Sequence, residues 1–126
     1  MKTYANVDER NGRQFAFEVE NSYIGLGSIA QILADVDGVT AVSVRPLFAS
    51  SWGENRVRFK FQGRDFVVWE PHGDSSRYWI GPQREEDRID IGDIEQAFQL
   101  FQPSPIAKLA GDILTLKVLR RIFGRA

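Results

Sequence analysis

Apolar and polar residues alternate from Ala5 to Val7 and again from Phe15 to Val19, on either side of Asn11-Gly12. Two such runs around a turn signal predict a β-hairpin. A two-residue turn would set Val7 opposite Ala16 and divide the large apolar residues between two faces. A three-residue Arg10-Asn11-Gly12 loop, with Gly12 left-handed, pairs Val7 with Phe15 and Ala5 with Phe17 and keeps one face apolar. The period then changes. Ile29, Ile32, Leu33 and Val36 form one helical stripe, Ser28 and Gln31 have capping-box spacing, and Gly38 offers a left-handed stop. A helix is expected between Ser28 and Gly38.

Val39–Val44 reads as a strand that Pro46 ends, and Leu47 to Asn55 reads as a loop carrying Trp52. Arg56–Gln62 and Asp65–Glu70 predict a hairpin around Gly63-Arg64. That turn sets Phe61 opposite Phe66 and Phe59 opposite Val68. On the other face it brings Arg58 to Trp69, within reach of a guanidinium–indole contact. Pro71 to Ser76 is a turn, and Arg77–Ile80 is a short last strand before Gly81-Pro82. Ile91, Ile94, Phe98 and Phe101 recur at helical spacing behind a cap at Asp90, so a second helix runs to about Gln102. Pro103-Ser104-Pro105 breaks it, and Ser104 with Pro105 starts a third.

The element order is therefore ββαββββαα: an α+β fold with a mainly antiparallel sheet of five to six strands and helices mostly on one face. At 126 residues the chain fits one domain, 1–126, whose segment 104–126 is a basic amphipathic helix. The chain has no cysteine, which excludes disulfides, thiolate catalysis and Cys-type zinc sites. No apolar run approaches the ~20 residues of a membrane span. The first ten residues hold no signal-peptide core, so a cytoplasmic location is expected.

Net charge is −1, but it divides unevenly. From Pro105 onward five basic residues face Asp112 alone, whereas the rest holds eleven basic and sixteen acidic residues. The tail also inverts its pattern. Ile106, Leu109, Ala110, Ile113 and Leu114 share one side, but after Leu116 that side carries Lys117, Arg120 and Arg121, and Leu119, Ile122 and Phe123 point away. One straight helix cannot bury both stripes on one body, so either Gly111-Asp112 divides it or the last turns meet another surface, and a partner chain or a second copy is the expected target. A basic amphipathic end could also touch an anionic membrane surface, though it is short for that.

Three motifs carry less than they suggest. Gly25-Leu26-Gly27-Ser28-Ile29-Ala30 has dinucleotide-binding spacing, but the preceding strand belongs to a hairpin and Arg45 stands where the ribose-binding acid is expected. His72, Asp74 and Ser75 are neighbours on one turn, where triad geometry is hard to achieve. Glu85, Glu86, Asp87, Asp90 and Asp93 match no calcium-loop spacing and suit the start of a helix. No catalytic residue, metal or cofactor is assigned.

The run from Val68 to Trp79 is the richer feature. Trp69, His72, Asp74, Arg77 and Trp79 gather around one turn, and Tyr78 and Trp79 must point to opposite faces. Aromatic and arginine side chains anchor binding surfaces well because they bury much area. Together with Leu119, Ile122 and Phe123 these residues predict a non-catalytic, cytoplasmic protein-binding module of adaptor or immunity type. Its partner is another protein or a second copy of the chain. One alternative is a small-molecule enzyme using the Glu70–Arg77 turn. Another is a nucleic-acid binder using Arg56, Arg58, Lys60 and Trp69, against which the acidic body argues.

Overall fold

The computed structural model describes residues 1–46, 50–70 and 76–102. The fold is α+β: six strands form one wholly antiparallel sheet, with two helices. The strands are β1 (Tyr4–Val7), β2 (Gln14–Glu20), β3 (Val39–Val44), β4 (Asn55–Phe61), β5 (Arg64–Trp69) and β6 (Arg77–Pro82); the helices are α1 (Leu26–Ala34) and α2 (Gly92–Leu100). The spatial order is β1-β2-β6-β5-β4-β3. After the first hairpin, α1 carries the chain to the far edge. The next four strands then return as a meander until β6 pairs with β2, Phe17 opposite Ile80 and Glu18 opposite Trp79.

Alternation along each strand sends Phe17, Val19, Val57, Phe59, Phe61, Phe66, Val68 and Ile80 to one face, where all are buried. Against them pack Ile29 and Leu33 of α1, and Ile94 and Phe98 of α2 with Ile91 just before it. Phe98 meets Phe17 edge to face at 5.3 Å, so α2 lies on β2 while α1 lies on β3 and β4. The chain start ties α2 in place. The amino group of Met1 donates to Gln99 O and Phe101 O, each at 2.7 Å, and Thr3 Oγ1 donates to Glu95 at 2.8 Å.

Several local expectations are corrected. In the first hairpin Ala5 pairs with Phe17 and Gly12 is left-handed (φ 70°), but Val7 pairs with Gln14 rather than Phe15. A bulge between Asn6 and Val7 absorbs the difference. Helix α1 begins at Leu26 with Gly25 as N-cap and no side-chain cap bond, so Ser28 lies inside the helix and forms no capping box. The glycine-rich turn brings the chain into the helix two residues before the serine.

The β4–β5 turn is Gln62-Gly63, both left-handed (φ 53° and 76°), as a tight primed turn requires. Pairing slides by two residues: Phe59 sits opposite Phe66, Val57 opposite Val68, and Phe61 opposite Arg64. A slide of two leaves every side chain on its expected face. At α2, Asp90 Oδ1 accepts from Gly92 N at 2.8 Å, so the aspartate does serve the first turn although Ile91 is the N-cap residue. No helix among the described residues is long and apolar enough to cross a membrane. The third helix expected from Ser104, with the tail inversion at Leu119, Ile122 and Phe123, lies outside the described residues.

Candidate functional site

Both described helices pack on one face of the sheet, and the opposite face carries the aromatic cluster. Because β6 lies between β5 and β2, pairing lines up Asn55, Trp69, Trp79, Glu18 and Tyr4 across five strands. The next row on that face holds Arg58, Val67 and Gly81, with Ala16 and Asn6 beyond them. Tyr78 enters the core and Trp79 takes the other face, as alternation demands.

Trp79 does not stand upright over its own row. Its six-membered ring leans along the strand over Gly81, so that a Cβ added at Gly81 would come 2.5 Å from one ring carbon and 2.8 Å from the Ala16 Cβ. Trp79 Nε1 donates to Asn6 Oδ1 at 3.0 Å, which fixes the lean from the far side. Val67, paired with Gly81, is 4% exposed although it lies on the face away from the helices. Trp69 meets Trp79 edge to face at 5.9 Å and remains 38% exposed.

The lean leaves space between Glu18 and Trp69. An open hollow of about 620 Å³ is bordered there by Asn6, Glu18, Trp69 and Trp79, and it runs round the β1 edge to Val7 and Arg88. Four large apolar side chains are exposed among the described residues: Val7, Val44, Trp69 and Leu100. Two of these, Val7 and Trp69, border this one hollow. Beside it Tyr4 donates to Glu20 at 2.8 Å and carries the Arg77 guanidinium 3.6 Å above its ring. Glu18, which faces the hollow, has no hydrogen bond or ion pair among the described residues.

The structure thus brings Trp69 and Trp79 together and places Arg77 two residues along on the same face. His72 and Asp74 lie outside the described residues, as do Leu119, Ile122 and Phe123. Arg58 does not reach Trp69. It sits opposite Val67 and lies 4.2 Å over Trp52, because the slid register puts Asn55 beside Trp69 instead.

Several of the described charges near the two alternative sites are already engaged. Arg56 pairs with Glu70 at 3.3 Å and Lys60 with Asp65 at 3.6 Å, so with Arg58 on Trp52 the basic strand offers little free charge to a polyanion. Glu70, the carboxylate at the start of the turn in the enzyme reading, also accepts from Asn21 at 3.2 Å. Burial, reinforced by the charge of Glu70, pushes the Tyr78 hydroxyl above its usual range, which makes it a poorer proton donor there. Of the carboxylates of 85–93, Glu85 meets Arg10 and Arg88, Glu86 meets Arg84, Asp87 meets Arg64 at 3.2 Å, and Asp90 accepts from Gly92 N. No metal-holding group of His, Cys, Asp or Glu occurs among the described residues.

Comparison with family models, curated proteins and solved structures finds no match to this chain. Tyr4, Asn6 and Glu18 are the site residues that the sequence pattern alone did not single out. The alternation of β2 does mark Glu18 as facing away from the core. What it cannot show is that β6, and with it Trp79, would pair alongside.

Proposed function

We propose that this chain is a non-catalytic protein-binding module of the cytoplasm, taking another protein or a second copy of itself on the sheet face around Trp69 and Trp79. The observation that carries this reading is the convergence of exposed apolar area on one hollow, with Trp69 held in position by Trp79, and Trp79 in turn by Asn6. A pre-positioned indole loses little freedom on binding and contributes a large contact area, the combination that marks interface anchors. Surrounding polar groups, Tyr4 with Glu20 and Arg77 over Tyr4, supply a rim whose internal contacts are already formed.

The test begins with co-purification and identification by mass spectrometry, followed by reconstitution of the pair from purified components. Trp69→Ala should weaken the reconstituted complex by about 2 kcal/mol or more, the range of an interface anchor, while the fold stays cooperative. Leu100→Ala, on an exposed helix position away from this face, should leave binding unchanged. Full binding by Trp69→Ala would remove this face from the reading.

A further inference from the structure

We infer that the hollow between Glu18 and Trp69 is a receptor for one arginine side chain of a protein partner, an assignment that rests on the binding face proposed above. In the row across the sheet, Glu18 and Trp69 flank Trp79 from the two neighbouring strands. Two strand spacings put their backbones about 10 Å apart. The floor between them is left open because the Trp79 indole is committed to Gly81 and Asn6. One wall is then a carboxylate without a partner among the described residues, and the other is an indole that is 38% exposed.

That pairing of walls selects a cation over a neutral or anionic group. A carboxylate attracts it from one side, and the negative face of an indole from the other. Shape then selects guanidinium over ammonium. A flat cation can stack on the ring while its N–H groups form a fork with both carboxylate oxygens, whereas a compact ammonium makes one of these contacts well at a time. The nearby cations already have aromatic partners: Lys2 and Arg77 lie over Tyr4, Arg58 over Trp52, and Arg88, at the far end of the hollow, over Phe15. The chain therefore shows, three times over, the stacking of arginine on an aromatic ring, and leaves one carboxylate-flanked indole without such a guest.

The experiment titrates the full chain with N-acetyl-arginine amide while following the indole N–H signals by two-dimensional NMR. Neutral N-acetyl-citrulline amide, which keeps the shape and loses the charge, is the control. Saturable shifts of the Trp69 and Trp79 signals are expected with arginine, with Trp52 unmoved. Citrulline should bind at least about tenfold more weakly, and Glu18→Gln should weaken arginine binding by a similar factor. Equal response to citrulline, or unchanged arginine binding by a folded Glu18→Gln protein, overturns the assignment. If the reconstituted partner is lost with Trp69→Ala but held undiminished by Glu18→Gln, the arginine receptor falls while the binding face stands.

Discussion

Gly81→Ala perturbs the device that keeps the hollow open. The added methyl carbon would sit 2.5 and 2.7 Å from two Trp79 ring carbons and 2.8 Å from the Ala16 Cβ, against an ordinary carbon–carbon separation of about 3.5–4 Å. The ring must therefore withdraw by about 1 Å. It is tethered on the far side by its 3.0 Å bond to Asn6, so withdrawal also strains or breaks that bond. Overpacking of this kind costs roughly 1–3 kcal/mol, and loss of the hydrogen bond about 1 kcal/mol more.

Equilibrium denaturation should show a destabilisation of about 2–4 kcal/mol on those two counts. In a Trp79→Ala background the ring is gone and only the Ala16 contact remains. There the same substitution should cost about 1–2 kcal/mol less, the coupling expected of directly touching residues. The displaced ring also moves toward the space between Glu18 and Trp69, so arginine amide binding should weaken in step. An unaltered denaturation midpoint, or an equal cost in both backgrounds, would refute the leaning-ring geometry.

Two further outcomes test the rest of the fold. Phe98→Ala empties the contact with Phe17 at the centre of the core and should cost about 3–5 kcal/mol, while Leu100→Ala two residues on, 74% exposed, should stay within about 0.5 kcal/mol; similar costs at both positions would mean that α2 is rotated from its described packing. Asp8 is held below the usual carboxylate range, first by the Arg10 side chain, then by the Arg10 backbone N–H, with the charges of Arg10 and Arg88 adding to it. A depressed folded value means that its contribution is complete above the ordinary carboxyl pKa of about 3.8 and fades as pH falls through the lower folded value. Denaturation of wild type and Asp8→Asn should therefore differ at neutral pH and converge in acid below about pH 4. A difference undiminished at pH 2 would show that the carboxylate charge is not its source.

The order of the described elements was legible in the chain because each is written locally: period two in β2 and β4, the Ile29–Leu33 stripe in α1, the Ile94–Phe98 stripe in α2. Face assignments were equally local, since alternation sends Tyr78 inward and Trp79 outward whatever lies beside them. Register and capping were less so. The β4–β5 pairing slid by two residues because the backbone placed its two left-handed positions at Gln62-Gly63, and Ser28 lost its cap role because α1 began at Leu26. Each choice turns on small differences between neighbouring turns, which the surrounding packing decides.

The site depended wholly on tertiary structure. Tyr4, Glu18, Trp79 and Trp69 are separated by up to 75 positions along the chain, yet they share one row because the returning meander inserts β6 between β5 and β2. Strand order is a long-range property: it follows from which apolar faces α1 and α2 can cover together, and no periodicity within one strand records its neighbours. The sequence by itself thus determined what each strand offers to either face. Only the assembled sheet decided that a carboxylate without a partner among the described residues and an exposed indole would stand on opposite sides of a leaning tryptophan.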